Sequence, residues 1–204
     1  MCPIVTLPGG DVRDEIRQPL YDTLIYVAAE TLAGVSTFFT SVTNPVTGNP
    51  KSLMMTNLTQ AGQLPTATSF RIQGLCMDAQ NQSYLNVDIL SVLLEKSSLE
   101  LSVGVKQYWQ GPLRFACGRQ WETGFAGTDT ADGRLYQEYG WQAIQPVVLQ
   151  GKHVVDINPL QNFSLTLDTE ADDLTAAEAA LTIAAATQIL LVGSLKGLLR
   201  RPVQ

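Results

Sequence analysis

The sequence predicts a mainly-β protein, a sandwich of about eight strands with one short helix and long loops. Three observations carry this. Residues 99–106 (LELSVGVK) and 163–168 (FSLTLD) alternate apolar and polar side chains with a period of two. That pattern puts one face of a strand in a core and the other in water or against a partner. Other short apolar runs are separated by Gly, Pro and Asn turn signals, which favours a sandwich, jelly roll or barrel. Finally, only 16 % of the 204 residues are charged while 45 % are apolar. The chain is packed, and much of its surface is uncharged Thr, Ser, Asn and Gln or is buried against neighbours.

Residues 1–20 read as an extended N-terminal arm, and 21–204 as one domain. Pro3, Pro8, Gly9, Gly10 and Pro19 surround the charged run 11–17 (DVRDEIR), which predicts at most a turn of helix. Such an arm is disordered or held by a partner. Residues 21–30 (YDTLIYVAAE) and 34–39 (GVSTFF) are short apolar runs that read as buried strands. Residues 41–63 form a long polar loop with turn signals at Asn44-Pro45 and Gly48-Asn49-Pro50. A loop of this length tends to be functional or assembly-related.

Residues 69–76 predict a strand with Phe70, Ile72 and Cys76 on one face and Arg71 and Gln73 on the other. Residues 84–95 are the best helix candidate. Leu85, Ile89 and Leu93 recur every four residues, and Ser83 is placed to cap. A strand is the alternative there, because Val87, Ile89 and Leu90 also favour β structure. Residues 120–140 are a second long polar segment. Residues 143–149 and 153–157 read as two strands joined at Gln150-Gly151, and 168–173 as an acidic turn. Residues 188–203 predict a long last strand, with Ile189, Leu191, Leu195, Leu199 and Val203 on one side. Leu181-Thr182-Ile183 is read as a further strand before it, although the Ala-rich residues there prefer helix.

Several function classes are disfavoured. A net charge of −6 argues against a dedicated nucleic-acid binder, which needs a basic stripe to release phosphate counterions. Three cysteines (Cys2, Cys76, Cys117) and one histidine are too few for a structural zinc site or a disulfide framework. No cofactor, no membrane association and no enzymatic activity are expected. No secretory leader is expected from the first residues. Residues 179–195 lack charge but are too rich in Ala and Thr for a spanning helix. His153 has no orienting partner on its own strand face and reads as a strand-edge or turn residue. Cys117, between Arg114 and Arg119, reads as a small buried residue rather than an activated thiol. Asp129 and Asp132 sit three apart and read as a solvated hairpin tip rather than a cation loop. No phosphate-binding glycine motif occurs. Trp109, Trp121 and Trp141 cluster with Tyr108, Tyr136 and Tyr139, a composition suited to a subunit contact and, alternatively, to sugar stacking.

The layout resembles the single jelly-roll virion proteins of bacteriophages, both capsid and capsid-decorating subunits. The likeness rests on the Pro/Gly-rich arm and the loop through Met54-Met55-Thr56-Asn57-Leu58. It continues with Gly62-Gln63-Leu64-Pro65 leading into Phe70-Arg71-Ile72, then a helix and alternating strands. It ends on the strand Gly197-Leu198-Leu199-Arg200-Arg201-Pro202-Val203. The resemblance implies a jelly-roll-like sandwich that self-associates symmetrically and meets other virion proteins, without catalysis. It implies synthesis in a host cytoplasm and residence in the virion. The expected assembly residues are Ile4, Val5, Arg13 and Arg17 of the arm and Met54, Met55 and Leu58 of the first loop. Trp121, Phe125, Tyr136 and Trp141 of the second loop complete them. The basic end Lys196, Arg200 and Arg201 is expected to meet the acidic turn 168–173 of a neighbour. A carbohydrate-binding sandwich module is the alternative, with Trp109, Trp121 or Trp141 as stacking platforms. A cupin-type enzyme is weaker still, because cupins need two or three histidines.

Overall fold

A computed structural model describes residues 4–6, 12–31, 34–81, 87–116, 147–149, 154–170, 174–180, 182–183 and 188–202. Two antiparallel sheets face each other. In chain order the strands are β1 (Ile4–Thr6), β2 (Val12–Arg17), β3 (Leu20–Val27), β4 (Gly34–Phe38) and β5 (Ser69–Asn81). Helix α1 (Val87–Lys96) follows, then β6 (Ser97–Val103), β7 (Lys106–Pro112), β8 (Val147–Val148), β9 (Val155–Ile157) and β10 (Phe163–Thr169). Helix α2 (Ala176–Ala179) and β11 (Gln188–Pro202) close the chain.

The strand order explains the architecture. β3 pairs with β11, β4 with β10, β5 with β8 and β9, and β6 with β7. These pairings nest, like one long antiparallel ribbon. The ribbon is rolled so that β11 also meets β5 and β10 also meets β6. The result is a seven-stranded sheet centred on β5 and β11 and a four-stranded sheet in the order β4-β10-β6-β7. This winding is the jelly-roll arrangement, as expected.

The core lies between the sheets. β6 and β10 bury every second residue without exception, placing Leu99, Leu101, Val103, Phe163, Leu165 and Leu167 inside. Phe70, Ile72, Leu75, Met77, Ile189, Leu191 and Leu195 face them from the other sheet. Burial of each large side chain contributes about 2 kcal/mol. Phe39 and Phe163 pack with tilted rings whose centroids lie 5.2 Å apart. Helix α1 forms as its four-residue spacing predicts, and Ile89 and Leu93 are buried. Ser83 and Leu85 lie outside the described residues.

Four local expectations are corrected. The charged run of the arm is a strand, not a turn of helix: β2 pairs with β11 and with β1. Side chains of opposite charge across β2 and β11 make a polar strand stable there. Next, Cys76 faces away from the core. A register shift beside Lys196 and Gly197 leaves Gln73 without an opposite residue, so Leu75 and Met77 take the inward positions. Gly197 is required at that bulge, since a Cβ would clash with the Arg71 carbonyl and lie 2.8 Å from the Phe70 ring. Third, the strand predicted over 99–106 ends at Val103. Gly104 takes φ +62° and turns the chain into β7, leaving Val105 fully exposed. Fourth, of Leu181-Thr182-Ile183 the residues 182 and 183 form no strand, and Leu181 lies outside the described residues. Ile183 is buried and exchanges main-chain hydrogen bonds with Ala29 and Glu30. Among the described residues no helix is long and apolar enough to cross a membrane, and residues 188–195 belong to β11.

Candidate functional site

The loop 41–63 is the most constructed surface feature among the described residues. Its first part folds on itself. The Asn44 side-chain carbonyl accepts from the amides of Val46 and Thr47, and Thr43 bridges Pro50. Its second part is fastened along the outer side of β3. Tyr21 donates its amide to Asn57 Oδ1 (3.0 Å) and its hydroxyl to the Leu53 carbonyl. Thr23 Oγ1 donates to the Met55 carbonyl at 2.8 Å, and Thr56 Oγ1 to the Tyr21 carbonyl at 3.0 Å. Asn57 Nδ2 donates to the Pro19 carbonyl at 2.7 Å. These bonds also satisfy main-chain groups of a sheet edge that is otherwise open to wrong pairing.

A buried ion pair locks the same loop from beneath. Lys51 Nζ lies 2.7 Å from Asp22 Oδ1, and the two side chains are 3 % and 1 % exposed. Asp22 points inward from β3, on the same face as Leu20 and Leu24 and opposite Gly193 of β11. Its second oxygen accepts the Phe39 amide at 2.6 Å. One carboxylate therefore ties β3, the end of β4 and the loop together.

The consequence is a rigid apolar tip. Leu53 is 79 % exposed and Met54 88 % exposed, while the main chain on both sides is bonded to the sheet. Of the loop residues predicted for assembly, Met54 is at the surface. Met55 is half-buried, with Asn44 Nδ2 donating to its sulfur at 3.7 Å, and Leu58 is buried in the core. Leu53 is not among the predicted residues. Its signal is the apolar run Leu53-Met54-Met55 in the loop, of which the two methionines had already been marked.

The arm and the last strand form a second region, on the outer face of the seven-stranded sheet. Arg200 Nε contacts Glu15 Oε2 at 2.8 Å, and Arg71 grips Asp156 through two bonds of 2.8 and 3.0 Å. Asp156, first by hydrogen bonding and then by its charge, raises the already high pKa of Arg71. Arg13 donates to the Ala67 carbonyl. Arg200, expected to reach a neighbour, is thus engaged by its own chain. Arg17, Lys196 and Arg201 are exposed. The acidic turn they were expected to meet begins on the opposite sheet, where Asp168 faces outward from β10 and Glu170 is exposed.

A cleft of about 500 Å³ opens between β3 and β4, lined by Leu24, Tyr26, Glu30 and Ser36. Burial pushes the Tyr26 phenol up, and its hydroxyl donates to Ser36 Oγ at 2.9 Å. Glu30 is committed to the Val27 amide at 2.8 Å. Tyr26 is thus paired with Ser36 and Glu30 with a main-chain amide, so the two do not form an acid–base pair with each other. Trp109 is partly buried against the core, so its ring is not an open stacking platform. Ile4 and Val5 belong to β1, and nothing is described of their side chains. Trp121, Phe125, Tyr136, Trp141, Cys117, His153, Asp129 and Asp132 lie outside the described residues. Comparison with family models, with curated proteins and with solved structures finds no match.

Proposed function

We propose that this chain is a structural virion protein of a bacteriophage, a self-associating capsid or capsid-decorating subunit. One observation carries the self-association: the Leu53–Met54 tip is apolar, exposed and held by hydrogen bonds and a buried ion pair. An apolar contact that is already ordered loses little conformational entropy on binding, so this tip is suited to being covered in an assembly. The jelly-roll winding and the layout of arm, loop, helix and last strand support the virion setting. The low charge content suits a subunit whose flanks are covered by neighbours. A carbohydrate-binding module draws no support from Trp109, which packs inward.

The test is the mass of the purified protein by light scattering at increasing concentration, with and without Leu53→Ser and Met54→Ser. A discrete oligomer or larger particles are expected for the natural sequence. The double variant should associate at least tenfold more weakly with an unchanged unfolding midpoint. A strict monomer at high concentration overturns the self-association reading.

A further inference from the structure

The two outer faces of the sandwich carry opposite charge. On the seven-stranded sheet, Arg71 and Arg200 are neutralised by acids of the same chain. Arg17 on β2 and Lys196 on β11 are exposed on that face, and Arg201 is exposed at the end of β11. Among the described residues none of these three is in an ion pair. On the four-stranded sheet the outward positions of β6 and β10 are Ser98, Glu100, Ser102, Ser164, Thr166 and Asp168. Glu100 and Asp168, with the exposed Glu170 just beyond, give this face a negative sign. The other outward side chains of these two central strands are short hydroxyls, which allow close approach of a second surface, and they are flanked by Val35 and Thr37 on β4 and by Gln107 and Gln110 on β7. The alternation that buries Leu99, Leu101, Leu165 and Leu167 forces these residues outward, so the negative face is a direct product of the core pattern.

We propose that copies of this chain stack sheet on sheet, the basic outer face around Arg17 and Lys196 seating on the acidic, hydroxyl-rich face around Glu100 and Asp168 of the next copy. This rests on the self-association reading and adds to the Leu53–Met54 tip a second contact between copies. The two faces lie on opposite sides of one sandwich, so a single copy cannot satisfy both. The contact is therefore heterologous, and successive copies close into a ring or grow as a filament. Charge complementarity selects the register and speeds encounter, and it weakens as salt shortens the screening length. A second copy fits better than a polyanion. The basic face is interrupted by Glu15, Asp156 and Leu198, and the complementary negative surface is present on the same molecule.

Two charge-reversed proteins test this by light scattering at low and high salt. One carries Arg17→Glu and Lys196→Glu, the other Glu100→Lys and Asp168→Lys. Each alone is expected to lose at least tenfold in association constant at low salt. An equimolar mixture is expected to recover the mass of the natural protein, because every reversed face then meets a complementary one. Circular dichroism checks folding, and Arg17→Gln with Lys196→Gln replaces the reversal if that variant unfolds. Unchanged mass for either reversed protein, or no recovery on mixing, overturns the stacking while leaving self-association standing. A natural protein that is monomeric at every salt concentration overturns both. Full retention of mass with loss of binding to a single-stranded oligonucleotide assigns the basic face to a polyanion and also overturns the stacking.

Discussion

Two ion pairs of nearly equal length hold two regions of this molecule. Lys51 and Asp22 meet at 2.7 Å under the loop, 3 % and 1 % exposed. Arg71 and Asp156 meet at 2.8 Å on the outer face of the seven-stranded sheet, 36 % and 42 % exposed. Distance does not separate them; surroundings do. Water and salt screen the outer pair, and either partner can be rehydrated if the other is removed. The inner pair has no such alternative, so each charge depends on the other and on the Phe39 amide. Arg200 and Glu15, at 2.8 Å with 12 % and 17 % exposure, fall between. The loop is therefore fixed by a feature that cannot be partly lost, whereas the outer face is a set of charges that can be rearranged on contact with a neighbour.

The largest expected effect breaks the inner pair. Lys51→Met should lower stability by about 3–5 kcal/mol in urea unfolding, since it strands the Asp22 carboxylate. Adding Asp22→Asn should return part of that loss and leave a deficit of about 1–2 kcal/mol, because the amide oxygen can still accept from Phe39. A double variant no more stable than Lys51→Met would show that the loop, not the charge, carries the cost. Glu15→Gln should cost about 1 kcal/mol, between the buried and the surface case. Asp156→Asn should cost less than about 1 kcal/mol, and at about 0.5 M salt the difference should vanish. A loss from Asp156→Asn comparable to that from Lys51→Met would remove burial as the deciding variable. The smallest effect concerns α2, which begins in a capping box. The Thr175 amide donates to Glu178 Oε2 at 2.7 Å, and the Glu178 amide donates to Thr175 Oγ1 at 3.3 Å. The bond from the Thr175 backbone amide holds the Glu178 carboxyl below its ordinary range. Its contribution is full above the ordinary glutamate pKa and is lost as pH falls through the lowered one. Amide exchange, corrected for its intrinsic pH dependence, should therefore rise at Ala179 in acid but not near neutral pH.

Much of the frame was legible in the residues. The strict alternation over 99–103 and 163–168 forces one face inward whatever the rest of the chain does, and both strands formed with that face buried. Helix α1 followed its spacing. What escaped was set at a distance. The strand character of 12–17 comes from pairing with β11, not from its own polar sequence. The outward turn of Cys76 comes from a bulge that depends on Gly197, more than a hundred residues away in the chain. In the candidate site, Met54 stood out as an apolar residue in a polar loop. The bonds that make it a rigid tip join it to Tyr21 and Thr23, and no local pattern announces them. Nor did the basic end reveal that Arg200 is claimed by Glu15.

By itself the sequence determined that this is a sandwich-type β protein, low in charge, with a long last strand and a polar loop carrying apolar residues. Period and composition act over a few residues, so they survive without knowledge of partners. Only the tertiary structure decided which strands pair, which arginines are neutralised, and that Asp22 and Lys51 share one dry site. Those outcomes depend on groups far apart in the chain being brought within 3 Å, where exclusion of water rather than residue type sets the energy.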